Sequence, residues 1–342
     1  MKLKTLLKTA LVGAMAALLT MPAMAQKTRL SVYTALENDQ LGPYKQAFEA
    51  AHPDVEIAWV RDSTGIITAR VLAEKDNPRA DVIWGLGASS VALFDTMGLL
   101  HPYSPKGVDQ IKPTFRSDKN PTTWTGMDAW LAVMCFNTVE GGKKNMPKPT
   151  SWADLTNPVY KDAIVMPNPA SSGTGYQAVY AWLQIMGEKG GWEFMDKLHN
   201  NVAVYTHSGS APCVQAAKGE RVVGIGFDMR GAREKTAGAP IDIILAKKGA
   251  PWDMEATAIV KGTKNLAAAQ KLADFAVSKP AYEMYGKFYA IVGYPGMNPS
   301  PPNYPPSADS AMVKIDLGKM GADRARILAE WTRRYDGKSA PK

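Results

Sequence analysis

One local pattern, met three times, constrains this chain more than any other feature. A short apolar run leads into a turn dense in hydroxyls and glycine, and apolar residues at helical spacing follow. The fullest instance starts with Ala163-Ile164-Val165-Met166 and turns through Asn168-Pro169-Ala170-Ser171-Ser172-Gly173-Thr174-Gly175. Behind the turn, Tyr176, Val179, Tyr180, Leu183 and Met186 recur on one helix face. The second instance is Val55 to Val60, then Arg61-Asp62-Ser63-Thr64-Gly65, then Ile67, Val71 and Ala73. The third runs from Val202-Ala203-Val204-Tyr205-Thr206 into His207-Ser208-Gly209-Ser210. Strands alternating with helices predict an α/β fold on a mostly parallel sheet. In such sheets ligands bind beyond the carboxyl ends of the strands, where these turns lie. The first amides of a helix lack internal partners and carry partial positive charge, so each turn is a candidate anion seat. The plain alternative is a Ser or Thr N-cap.

The chain opens with Lys2, Lys4 and Lys8, an apolar run from Ala10 to Leu19, and Ala23-Met24-Ala25. This is the layout of a secretory signal peptide over residues 1–25, with cleavage expected after Ala25. The apolar run is too short for a membrane span. No cysteine follows it, so the expected product is a soluble exported protein without a lipid anchor. Of 342 residues, removing 25 leaves 317, too many for one ordinary core and suited to two lobes. Removing three lysines lowers the formal charge from +8 to +5. The basic residues are scattered, which speaks against a nucleic-acid tract. No metal-spaced Cys/His cluster is present, and no cofactor is expected. The two cysteines, Cys135 and Cys213, either pair in an oxidising compartment or stay as buried thiols.

Taken in order, Leu30 to Ala35 reads as a strand, and Glu37-Asn38-Asp39 opens a helix with Leu41, Tyr44 and Phe48 inward. Asp81 to Trp84 is a third strand, ending in Gly85-Leu86-Gly87-Ala88-Ser89-Ser90. The long apolar stretch Met127 to Asn137 is expected to cross into a second lobe. Val222 to Phe227 and Ile241 to Leu245 follow there, and Trp252 to Val260 begins a strand back in lobe one. Helices are expected over 267–277 and 281–288, and a last one over about 310–335. The expected division is 26–130 with 250–309 for lobe one, and 131–249 with 310–342 for lobe two. Two crossings between α/β lobes make a hinged cleft.

Four stretches carry a family resemblance. They are Tyr33-Thr34-Ala35-Leu36-Glu37, Arg61-Asp62-Ser63-Thr64-Gly65, Met166 through Gly175, and Trp252-Asp253-Met254-Glu255-Ala256-Thr257-Ala258. Together they resemble the periplasmic binding proteins of 2-aminoethylphosphonate ABC transporters, over nearly all of the mature chain. The resemblance implies the type II two-lobe fold, a ligand held between the lobes, and delivery to an inner-membrane permease; a periplasmic location and a monomer are expected with it. Ferric-ion binders share the fold and carry an adjacent tyrosine pair. The corresponding stretch here, Phe227-Asp228-Met229-Arg230, lacks it.

The ligand so implied has an anionic head and an ammonium tail. Ser63, Thr64, Ser172, Gly173, Thr174 and Ser210 can offer hydroxyls or helix-start amides to the head, with His207 as a further donor or a local cap. Glu37, Asp228 and Glu255 are the candidate acids for the amine; for each the alternative is a cap or a solvated carboxylate. Tyr33, Trp84 and Trp252 can wall the cleft or serve as core. Arg230 can balance Asp228 or reach the phosphonate. A rival class, an exported hydrolase, rests on His207, Ser208 and Asp228 as triad residue types, but adjacent His and Ser in one turn rarely face each other, and no Gly-x-Ser-x-Gly elbow is present. A phosphate ester, a carboxylate or ferric ion remains the alternative cargo, and no enzyme activity is expected.

Overall fold

A computed structural model describes residues 26–247 and 249–341. The segment read as a signal peptide lies outside the described residues. In chain order the strands are β1 (Thr28–Thr34), β2 (Val55–Arg61), β3 (Val82–Gly87), β4 (Thr125–Asn137), β5 (Ile164–Pro167), β6 (Val202–Thr206), β7 (Val223–Phe227), β8 (Ile241–Ile244), β9 (Trp252–Ile259) and β10 (Ile291–Val292). The helices are α1 (Asn38–Ala51), α2 (Thr64–Ala73), α3 (Ala88–Thr96), α4 (Thr138–Lys143), α5 (Gly173–Asn201), α6 (Ala211–Ala217), α7 (Asp228–Thr236), α8 (Leu266–Ala276), α9 (Lys279–Tyr285), α10 (Ala308–Ala311), α11 (Leu317–Ala322) and α12 (Arg324–Tyr335).

The strands lie in the order β2-β1-β3-β9-β4-β7-β5-β6, with β8 and β10 also on β4. β1 pairs in parallel with β2 and β3, and β5 pairs in parallel with β6 and β7. β4 is the strand common to both halves. Its first part, Thr125 to Leu131, pairs with β9, and Ala132 to Phe136 pairs with β7. All thirteen of its residues are buried, which is why its sequence shows no polar–apolar alternation. The chain recrosses beside it, where the Ala132 amide donates to the Pro251 carbonyl and Ala250 bridges Met312. A two-lobe α/β architecture results.

Each half buries its own core. In the first, Leu30, Phe48, Trp84 and Tyr282 pack one sheet face, and Ile67, Phe94 and Met254 the other. In the second, Trp152, Trp182, Tyr176 and Trp331 form the largest cluster. Each such side chain contributes roughly 1.5–3 kcal/mol on burial. On the opposite face Cys135 of β4 and Cys213 of α6 form a disulfide with Cα atoms 5.3 Å apart.

Two elements depart from the sequence reading. β3 continues past Trp84 to Gly87, through an irregularity at Gly85, whose φ of +80° suits glycine. The single helix expected over 310–335 is three shorter ones. Met312 is tied to Ala250 at the crossing, and Asp316 caps a fresh start by accepting from the Lys319 amide.

Candidate functional site

The turns after β2 and β5 meet face to face. Ser63 and Thr64 start α2, and Ser172 and Gly173 start α5, because glycine, serine and threonine end the strands with residues that favour a helix start. The two turns touch through backbone: the Gly65 amide donates to the Ser171 carbonyl at 2.8 Å. A Cβ on Gly65 would lie 2.1 Å from the Ala170 oxygen, and one on Gly173 2.7 Å from Thr64 Oγ1. Only hydrogen fits at either place, so the glycines are what lets the lobes close.

The closed turns bound a cavity of about 50 Å³. On that measure one water needs roughly 10–15 Å³, so the space takes three to five water-sized groups. Part of the lining is hydroxyls and backbone: Ser63 and Thr64 from one lobe, Ser172, Gly173 and Thr174 from the other, with Ser208 and Gly209 after β6. The Ser63 side chain makes no capping bond, which leaves its oxygen available, whereas Ser172 Oγ accepts from the Gly175 amide. Arg61 adds a guanidinium to this lining.

The rest of the lining is aromatic and acidic. Trp130 of β4, Phe227 of β7 and Tyr289 pack together, and the Tyr289 hydroxyl donates to Glu255 Oε1 at 3.3 Å. Glu255 comes from β9, is only 7% exposed and lines the cavity, and its Oε2 has no partner among the described residues. Burial pushes its carboxyl up to about 8.

The other candidates take different places. Glu37 lines the cavity, but its carboxylate is engaged: it accepts from Arg230 Nη2 at 2.7 Å and Ser210 Oγ at 3.0 Å, with Arg61 Nη2 at 3.9 Å. Ser210 therefore serves a clasp between lobes, and Arg230 balances Glu37, not Asp228. The α6 turn is also poorer in donors than its sequence suggests, since Pro212 lacks an N–H. His207 stands half-exposed with Nε2 3.1 Å from Asp62 Oδ1, another contact across the cleft. Asp228 is fully buried, accepts from its neighbour's amide on Met229, lies beside Tyr304, and is pushed up to about 7 by burial. His207, Ser208 and Asp228 thus form no triad. Tyr33 donates to Glu74 and lies under Arg70, Trp84 donates to the Tyr285 hydroxyl within the core, and Trp252 donates to the Val313 carbonyl. None of these three lines the cavity, whose walls are Trp130, Phe227 and Tyr289. Sequence reasoning passed over those three and Arg61. The only signal was adjacency to recognised segments: Trp130 lies in the crossing strand, Phe227 beside Asp228, and Arg61 one residue before Asp62.

Two α/β lobes that share a crossing strand and close donor-rich turns over a small cavity define a hinged solute-binding protein. The chain belongs to the family of bacterial extracellular solute-binding proteins, whose model matches residues 77–316. It is 32% identical over 315 residues to an uncharacterized protein of Haemophilus influenzae, covering 89% of this chain and 90% of that one. It is 26% identical over 264 residues to a Sinorhizobium fredii protein named "Probable ABC transporter periplasmic-binding protein", covering 74% and 70%. Among solved structures it is similar to the periplasmic binding protein AfuA of Actinobacillus pleuropneumoniae, described with fructose-6-phosphate bound. That match has a TM-score of 0.85 at 30% identity, over 91% of this chain and 99% of that one. No helix among the described residues is long and apolar enough to cross a membrane.

Proposed function

We propose that this chain is the periplasmic solute-binding component of an ABC importer, and that it holds 2-aminoethylphosphonate between its lobes for delivery to the permease. We assign 26–130 with 250–309 to lobe one and 131–249 with 310–342 to lobe two. One observation carries the ligand reading: a single small cavity joins facing helix-start hydroxyls and amides to a buried carboxyl with a free oxygen inside an aromatic wall. The donors suit a phosphonate head. Glu255 with Trp130, Phe227 and Tyr289 suits an ammonium group. Among the described residues no three His, Cys, Asp or Glu side chains are grouped so as to hold a metal ion.

Calorimetry with a ligand panel tests this. 2-Aminoethylphosphonate is expected to bind at least tenfold more tightly than methylphosphonate, which lacks the ammonium, and more tightly than fructose-6-phosphate. Glu255→Gln is expected to erase the preference for the amino ligand while leaving methylphosphonate binding unchanged. Equal affinity of the wild type for the two phosphonates would remove the carboxylate half of the reading.

A further inference from the structure

Behind the cavity lining, next to Glu255, lies one acid that no ligand contact needs. Asp128 of β4 is wholly buried, and neither of its carboxyl oxygens has a hydrogen-bond partner among the described residues. The strand pairing sets it beside Glu255: Met127 and Asp128 of β4 stand opposite Glu255 of β9, in the irregularity between the Gly126–Ala256 and Ala129–Met254 pairs, and Asp228, which opens α7, is the other nearby carboxyl. Glu255 in turn feels Glu37 and its neighbour Asp253. Around the pair stand Tyr44 of α1, Tyr282 and Tyr285 of α9, Tyr289 and Tyr304. These neighbours are all acids or phenols. The nearby cations are engaged elsewhere: Arg230 pairs with Glu37, and Arg61 donates to the Leu36 carbonyl with Nη2 3.9 Å from Glu37.

Two ionised carboxylates in that setting would repel each other without water or a counter-charge. A proton between them gives each a partner. Burial pushes Glu255 up to about 8, and burial together with the facing Glu255 and Asp228 pushes Asp128 well above the ordinary carboxylate range. Such a pair titrates as a unit.

We infer that Asp128 is a positioning residue of the cleft: it keeps a proton and presents it to Glu255, which sheds its own proton to solvent when a ligand's ammonium enters, so that capture of the cationic group releases about one proton. This rests on the reading that Glu255 meets the ammonium. The neutral Glu255 carboxyl loses H⁺ to buffer, the ammonium keeps its hydrogens, and a carboxylate–ammonium pair remains. The sign follows. Below pH about 8 the free protein must give up the proton to bind, so affinity rises with pH; above about 8 that rise levels off.

Calorimetry with 2-aminoethylphosphonate at pH 7, run in Pipes and in Tris, reads proton release from the difference in apparent heat. Wild type is expected to release about one proton more than Glu255→Gln, the comparison cancelling the titration of the phosphonate itself. Asp128→Asn keeps a donor and the shape, so it should retain both affinity and proton release. Asp128→Leu, which cannot donate, should bind the amino ligand at least tenfold more weakly and methylphosphonate as before. Equal release from wild type and Glu255→Gln, or loss of binding in Asp128→Asn with normal melting, would overturn the inference. The free protein supplies an independent readout by carbon-detected carboxyl titration. A signal absent from Glu255→Gln should titrate near pH 8, and one titrating below pH 5 would sink the proposal whatever the ligand. If 2-aminoethylphosphonate gives no heat at all, the ligand reading fails and this titration alone decides about the pair.

Discussion

Thr174 sits one residue inside α5, buried and on the cavity wall, and its hydroxyl is the part of the site that a near-isosteric change can remove. Thr174→Val is expected to cost about 1.5–3 kcal/mol of binding, ten- to a hundredfold in affinity, for 2-aminoethylphosphonate and methylphosphonate alike, since both share the head. Calorimetry on the same panel checks it; a loss confined to the amino ligand would place Thr174 at the wrong end. At this scale the sequence was readable in the turns, because Ser63, Thr64, Ser172 and Thr174 are polar residues in positions that a core would not tolerate. It was unreadable in the walls. β4 is buried on both faces, so nothing in its apolar run distinguishes Trp130, which lines the cavity, from its neighbours that pack the core. Tyr33 and Trp84 failed for the converse reason. Each stands on a strand of the right sheet but points to a helix-packed face, Tyr33 toward Arg70 and Glu74, Trp84 toward Tyr44 and Tyr285. Glu37 looked like a free acid because its partners, Arg230 and Ser210, are distant in sequence and belong to the other lobe.

Helix starts do the closing. α2 and α5 approach so nearly that the Gly65 amide reaches the Ser171 carbonyl, and Gly65→Ala would put a methyl carbon 2.1 Å from backbone that cannot yield. The variant is expected to fold, since Gly65 stands in the first turn of a helix, where alanine is favoured. Its lobes should stay apart. Small-angle scattering should then show the radius of gyration of the wild type falling on addition of ligand, while that of Gly65→Ala stays at the open value and affinity drops by at least tenfold. Compaction of the variant equal to that of wild type would show that the two turns do not need to touch. These elements were legible from periodicity: strand, turn and helix follow one another in the order read from the apolar spacing. The C-terminal region was not, because its breaks are set by tertiary ties, at Met312 to Ala250 and where Gly321 lies against the Ser89 carbonyl, that leave no local mark.

Over the whole molecule the disulfide joins residues 78 apart, Cys135 in the crossing strand and Cys213 in the second half. A loop of that length restricts the unfolded chain by roughly 4 kcal/mol in the chain-entropy account. Reduction with dithiothreitol under mild denaturant, or the Cys135→Ala/Cys213→Ala variant, is therefore expected to lower the melting temperature by several degrees, read by calorimetry. The shape of that melt follows from β4. Its thirteen buried residues supply the pairing partner of β9 on one side and of β7 on the other, so neither half has a complete sheet of its own. A crack that starts in one half removes the neighbouring strand of the other. The protein should melt in one step despite its two cores, and cutting the bridge should move that step without splitting it. A hinge made from a shared strand lets the two halves move as separate bodies while obliging them to denature as one.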